Sequence, residues 1–330
     1  MESMDNIQNE IRNSQNFERI DEINRKKFEI VNQIGIIYAI GIAILSQCNN
    51  IYYMIFRKYF PDFLKANITD SILLCTLIVN QILGILIMFL LTKFIKKITI
   101  KKRSYGCKKY FTNLFINSGL LIIGSFIGQI THFSIFNKNT SLNKSIKNSN
   151  IFLEFFVICL TAPISEELIF RKFLIDRLAI YSKTLAIFSS GILFGVFHKN
   201  FQQLFGAMFI GWTLAYAYVE TGNILIPISY HIFENSFTII LESIYPKDNN
   251  NIQIKVKIYF VMANLRLIEC LIGIIILIIY RKKINLLING NFSKVMECGS
   301  LFLKDFYHFH YFIYKDYLYK LNLILFYIMP

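Results

Sequence analysis

Along the chain, apolar residues gather into long runs and charged residues into short clusters between them. Ile30 to Phe56 contains no charged residue, and neither do Ser71 to Thr92 or Tyr110 to Asn137. A helix needs about 20 predominantly apolar residues to cross the hydrocarbon of a bilayer. Three uncharged runs of that length predict three spanning helices. Five more apolar segments follow, so that the full set is 30–50, 71–92, 110–136, 151–178, 184–198, 202–220, 224–243 and 258–280. The last carries only Arg266 and Glu269, which stand three apart and can pair on one helix face. The fourth, fifth and sixth are short or interrupted, as expected of helices lining a polar interior. The pattern predicts an all-α, multi-pass transmembrane helical bundle of about eight spans.

The organisation that follows is a polar head (1–29), three N-terminal spans (30–150), a core (151–243), a last span (244–283) and an aromatic-rich C-terminal tail (284–330). The final 30 residues hold eleven Phe or Tyr interspersed with Lys304, Asp305, Lys315, Asp316 and Lys320. Those charges argue against a ninth span and leave an interfacial segment or a disordered extension. The first 27 residues are polar and of mixed charge, so no cleavable signal peptide is expected.

Composition sharpens the class. Of 330 residues, 55% are hydrophobic, and the mean hydropathy is +0.46, more apolar than a soluble domain. The formal charge of +14 would suit a nucleic-acid binder. That class is excluded because Lys and Arg sit mainly beside apolar runs, as in loops facing the cytoplasm. The strongest such loop holds eight basic residues between Lys93 and Lys109. The bias predicts a cell-membrane protein with both termini cytoplasmic. The six cysteines show no C-x-x-C spacing, so neither a disulfide framework nor a cysteine-based zinc site is indicated.

Against this apolar background, "PISEELIFRKFL" (163–174) stands out. Neighbouring helix residues point about 100° apart, so Glu166 and Glu167 cannot share a face. Glu167 and Arg171 are i,i+4 with the glutamate first, the favourable ion-pair order. Glu166 is left without a local partner, and a carboxylate at membrane depth must find another polar group or stay protonated. Two later apolar segments offer partners. "FGVFHKN" places Phe194 four before His198, and "HIFEN" places His231 four before Asn235, on one helix face. Glu166, His198, His231 and Asn235 are expected to converge in a cavity near mid-membrane, with Glu166 within one water of His198. A carboxylate and an imidazole can activate water, and further donors can hold an oxyanion. Each motif alone has a bland explanation: His132, which nothing accompanies, reads as helix–helix glue. The ordered set, each part inside an apolar segment, points to chemistry.

The three motifs together resemble the CAAX protease and bacteriocin-processing family of intramembrane proteases, also called CPBP or Abi. The family pattern is EExxxR, then FxxxH, then HxxxN or HxxxD. It is matched by Glu166, Glu167 and Arg171, by Phe194 and His198, and by His231 and Asn235. The stretch "GAMFIGWTLAYAYVETGNILIPISYH" is also similar to bacterial members, and the likeness covers about 151–243. The resemblance implies an intramembrane endopeptidase with a catalytic cavity within the membrane. Its catalytic residues would be Glu166 and His198, activating water, and His231 and Asn235, holding the oxyanion. Glu167, Arg171 and Phe194 would support them. It leaves zinc open: if a metal is present, Glu166, His198 and His231 are its ligands, a recognised carboxylate–imidazole set, although HExxH is absent. One departure is Lys199, where many bacterial members have Gly; its charge would either act on His198 or snorkel outward.

The implied substrate is a peptide or membrane protein in the lipid bilayer, with CAAX processing, bacteriocin processing and self-immunity all open. Two rival readings are a non-enzymatic immunity or scaffold protein that keeps the fold, and a transporter relaying protons through buried Glu and His. The transporter fits less well, because no paired halves are visible.

Overall fold

The apolar runs fold as helices, and in the computed structural model of the chain no strand forms among the described residues, 2–136, 150–245 and 252–289. The helices are α1 (Glu2–Tyr59), α2 (Pro61–Ala66), α3 (Ile68–Thr92), α4 (Cys107–Phe136), α5 (residues 151–178), α6 (Lys183–Phe197), α7 (Phe201–Thr221), α8 (Leu225–Ile244) and α9 (Ile252–Asn289). Starts are set by side-chain caps: Asn150 accepts from the Phe152 and Leu153 amides, Ser182 from Leu185 and Asn200 from Gln203. The α7 C-terminus closes on Gly222, whose φ of +60° is the left-handed conformation that glycine takes without strain.

Four helical stretches are long and apolar enough to cross a membrane: Glu29–Tyr59, Ile68–Thr92, Cys107–Ser134 and Gln253–Tyr280. They coincide with the first, second, third and eighth predicted segments. Two of the other four predicted spans, the fourth and fifth, fall short for different reasons. The α6 helix is a shorter apolar helix of 15 residues, and α5 is broken into short pieces that carry the charged motif. The sixth segment differs from expectation in another way: α7 is one continuous helix of 21 residues. Most of the aromatic tail, with His308 and His310, lies outside the described residues.

One compact unit comprises Gly41–Ser293, and a separate one contains Met1–Ile40. Within the larger unit α7 packs against α4 and α6, α9 against α4, and α8 against α7 and α5. Small residues permit this closeness: a Cβ on Gly124 would lie 2.5 Å from the Phe205 carbonyl oxygen, and one on Gly206 would lie 2.9 Å from Ser125 Oγ. A core of Leu114, Leu214, Ala217 and Tyr230 joins α4, α7 and α8. The Tyr230 hydroxyl donates to the Tyr110 carbonyl at 2.8 Å, fixing α8 on α4.

Regular α-helical geometry is interrupted in α3, where Thr76–Leu83 is π-helical, and twice in α5. Two π-helical stretches, Phe155–Thr161 and Leu168–Phe173, flank the α-helical Ala162–Glu167. Pro163 has no amide hydrogen, so it cannot bond back to the carbonyls preceding it. Ala162 accordingly bonds five residues back, to the Val157 carbonyl. Such widened turns are frequent at functional sites.

Candidate functional site

His231 on α8 enters the gap between the two glutamates of α5. Its Nδ1 lies 3.0 Å from Glu167 Oε1, and its Nε2 lies 3.7 Å from Glu166 Oε2. A carboxylate only accepts, so Nδ1 carries the proton and Nε2 is the nitrogen left facing Glu166. The expectation of divergent glutamates is therefore met in an unforeseen way. They point apart, and one imidazole touches both.

Glu167 has a second partner. Arg171 Nε stands 2.9 Å from Glu167 Oε2, and both side chains are fully buried. The contact is an ion pair without aligned hydrogen bonds, and the guanidinium nitrogens have no hydrogen-bond partner among the described residues. What compensates the charge on its other side is a ring. The guanidinium carbon sits 4.7 Å from the Phe194 centroid, over the negative π face.

Phe194 is the hub that joins the three motifs. It is completely buried. His198 meets it edge-on at 5.0 Å between centroids, His231 at 5.5 Å and Phe170 at 5.4 Å. The spacing of Phe194 and His198 has a further reason. At the end of α6 the His198 amide bonds three residues back, to Gly195, and leaves the Phe194 carbonyl without that donor. Imidazole Nδ1 of His198 sits 2.8 Å from that carbonyl oxygen. The carbonyl can only accept, so Nδ1–H donates and Nε2 keeps a lone pair. The next residue, Lys199, has a φ of +57°, alone among the described non-glycine residues in the left-handed region. This is the conformation that the Gly of bacterial relatives would take freely.

Asn235 is placed by the same break in α5. The Ile158 carbonyl would be the π-helical acceptor for residue 163, but Pro163 offers no donor. Asn235 Nδ2 supplies it instead, at 2.8 Å. One of its N–H bonds is thus committed to α5, leaving the other and the amide oxygen. Glu166 is the most accessible of the acidic pair, with a side chain 18% exposed against 0% for Glu167.

Thus Glu166, Glu167, Arg171, Phe194 and His231 form one contact group, His198 joins it through Phe194, and Asn235 anchors α8 beside it. The zinc reading fits poorly. A zinc site needs three or more donors converging on a point about 2 Å from each; His231 Nε2 and Glu166 Oε2 lie 3.7 Å apart, while His198 reaches this pair through the Phe194 ring. Among the described residues no group of three or more His, Cys, Asp or Glu side chains is placed to hold a metal. Glu166, His198 and His231 as arranged do not make a ligand set.

Sequence reasoning overlooked two sets of residues. Lys172, Asp176 and Tyr218 tie the end of α5 to α7: Lys172 Nζ lies 2.8 Å from Asp176 Oδ2, and the Tyr218 hydroxyl donates to Oδ1 at 2.7 Å. Glu234, beside Asn235, is buried against Asn117, Ser118 and Arg266. The signal for Glu234 was a carboxylate inside an apolar run.

Comparison with known proteins gives the following. The family model described as type II CAAX prenyl endopeptidase Rce1-like matches residues 148–237. A Bacillus subtilis (strain 168) protein named as a candidate membrane peptidase, YdiL, is 35% identical over 89 residues. That match covers 26% of this chain and 36% of the relative, so the likeness spans about a third of that protein's length. No solved structure matches the chain significantly. The matched stretch contains all seven motif residues, from Glu166 to Asn235.

Proposed function

Because this chain belongs to the CPBP family, to which the type II CAAX prenyl endopeptidases belong, we propose that it is an intramembrane endopeptidase. It hydrolyses a peptide bond in a membrane-associated peptide or protein and needs no metal. The observation that carries this reading is the hydrogen-bond layout of the two imidazoles. Each commits Nδ1 elsewhere, His198 to the Phe194 carbonyl and His231 to Glu167. Each therefore keeps Nε2 for chemistry, and that of His231 lies 3.7 Å from the partly exposed carboxylate of Glu166.

In this mechanism Glu166 takes a proton from a water whose other O–H is held by the His198 Nε2 lone pair. The water oxygen attacks the peptide carbonyl carbon. The resulting oxyanion is met by N–H from His231 Nε2, in its imidazolium form, and by the remaining N–H of Asn235. Collapse breaks the C–N bond, and the proton on Glu166 passes to the leaving amine. Glu167, backed by Arg171, holds His231 in orientation and balances its charge. Burying these groups together lets each satisfy another, where separate burial would be costly. The protein lies in the cell membrane with both termini on the cytoplasmic side.

The test uses full-length protein reconstituted in liposomes with membrane-anchored peptides of varied sequence, products being identified by mass spectrometry. Wild type should cleave at defined bonds, while Glu166→Gln should yield no product at equal membrane abundance. Equal cleavage by the two would overturn the assignment, and the absence of cleavage by wild type would favour a scaffold that only keeps the fold.

A further inference from the structure

Next to the site, on the far flank of α8, lies a second buried polar cluster that the three motifs do not include. Glu234 Oε1 accepts from Asn117 Nδ2 at 2.9 Å and from Ser118 Oγ at 2.6 Å, both on α4. Glu234 Oε2 is bonded to Arg266 Nη2 on α9. Arg266 also donates from Nη1 to Glu269 Oε2 at 2.9 Å and to Ser118 Oγ at 3.1 Å, and its guanidinium lies 5.0 Å from the Phe237 ring centroid. Asn117 is held in turn by Thr213 of α7. Asn117, Ser118, Arg266 and Glu269 all fall outside the family match at 148–237.

The angular position of Glu234 gives the cluster its meaning. At about 100° per residue, Asn235 lies about 40° to one side of His231 around α8, and Glu234 about 60° to the other. Each flank is tied to a different neighbour. Asn235 bonds the Ile158 carbonyl of α5 at 2.8 Å, and Glu234 bonds α4 and α9. His231 therefore projects from a helix clamped against rotation on both sides. A ring atom roughly 6 Å from the helix axis moves about 1 Å for about 10° of rotation, so even small slippage would misalign the imidazole.

Resting on the endopeptidase reading, we infer that Glu234 and Arg266 are positioning residues: they lock the rotation of α8 and so aim His231 and Asn235 at the reacting carbonyl. The simpler alternative is that the cluster only holds helices together. The two carboxylates on Arg266 separate these ideas. Glu234 belongs to α8, whereas Glu269 belongs to α9, three residues from Arg266 itself, and is bonded to Arg266 and, at 2.7 Å, to Ser118 of α4. Removing the charge of Glu234 still leaves Arg266 paired with Glu269, so Glu234→Gln keeps a partnered guanidinium and is expected to fold.

The experiment compares Glu234→Gln with Glu269→Gln in the full chain, with two readouts. One is the ¹⁵N spectrum of histidine-labelled protein in lipid nanodiscs, with His231 assigned by its loss in His231→Gln. The other is steady-state cleavage. Glu234→Gln should move the His231 ring resonances and lower kcat on the order of 100-fold, the scale of a 1 Å misplacement, while KM stays within about twofold because substrate binding is left intact. Glu269→Gln should leave the His231 resonances and kcat near wild type. An unmoved His231 in Glu234→Gln, or equal effects from both variants, overturns the inference. If Glu234→Gln does not fold, Arg266→Lys replaces it: the charge stays but the fork is lost, and an unmoved His231 resonance again overturns the inference. If wild type cleaves nothing, the endopeptidase reading fails, while the spectra still decide whether the cluster aims His231.

Discussion

Arg171→Met tests the centre of the electrostatic argument. The substitution removes a guanidinium that is fully buried, 2.9 Å from Glu167 and 4.7 Å from the Phe194 centroid. Methionine fills similar apolar volume, so the loss is chiefly that of charge. Glu167 then keeps only His231, and an orphaned buried charge costs about 3–5 kcal/mol. At about 1.4 kcal/mol per factor of ten, the folded-to-unfolded ratio should fall by roughly 10²–10³ or more. The chain's single tryptophan, Trp212, reports folding from inside the bundle, where its indole N–H donates to the Phe188 carbonyl at 3.1 Å. Unfolding in denaturing detergent, followed by Trp212 fluorescence, measures the loss. The double variant Glu167→Leu with Arg171→Met should recover most of it, because replacing a whole buried pair by apolar residues is often neutral. It should not recover cleavage, since His231 Nδ1 would lack its acceptor. A single variant within about 1 kcal/mol of wild type, below what breaking a buried pair costs, would refute this reasoning, as would a double variant no more stable than the single.

Other predictions follow from individual contacts. Lys199→Gly should raise stability by about 1 kcal/mol, by relieving the left-handed backbone at φ +57°; the same denaturation assay reads it, and a destabilised variant would contradict it. Asn235→Ala should cost about 1–3 kcal/mol by leaving the Ile158 carbonyl without its donor, in addition to its effect on turnover; unchanged stability would mean that the carbonyl finds another partner. Truncation after Lys283 should leave cleavage intact in protein that inserts, as the tail contains no motif residue. Chelator should leave turnover unchanged, since the candidate ligands do not converge, and full inhibition that zinc restores would contradict the metal-free mechanism.

Helices were legible in the sequence where a run had to satisfy its backbone in hydrocarbon, as at 71–92 and 110–136. The local ion pairs were legible too, because i,i+4 and i,i+3 spacing fixes proximity: Glu167 with Arg171, and Arg266 with Glu269, both form. Contacts between helices were not, because they depend on rotation and depth that spacing does not encode. Nothing local to Glu167 announces His231, 64 positions later. Pro163 did carry a readable signal, an acceptor four or five residues upstream left in need of a donor, but its partner Asn235 comes from another helix. The family pattern marked Phe194 as a supporting residue, but the contacts through which it acts were hidden for a similar reason. A phenylalanine in an apolar run looks like packing until two imidazoles and a guanidinium are found around its ring.

The most direct test of the central claim is the dependence of turnover on Glu166 and His198 together. If both act on one water, removing either should destroy the same step, and their effects should not add. Single-turnover cleavage should therefore be measured for Glu166→Gln, His198→Gln and the double variant, in liposomes at equal membrane abundance. The account predicts that the double variant is no slower than the slower single variant. Losses that multiply in the double variant would show the two groups acting independently, and would contradict it.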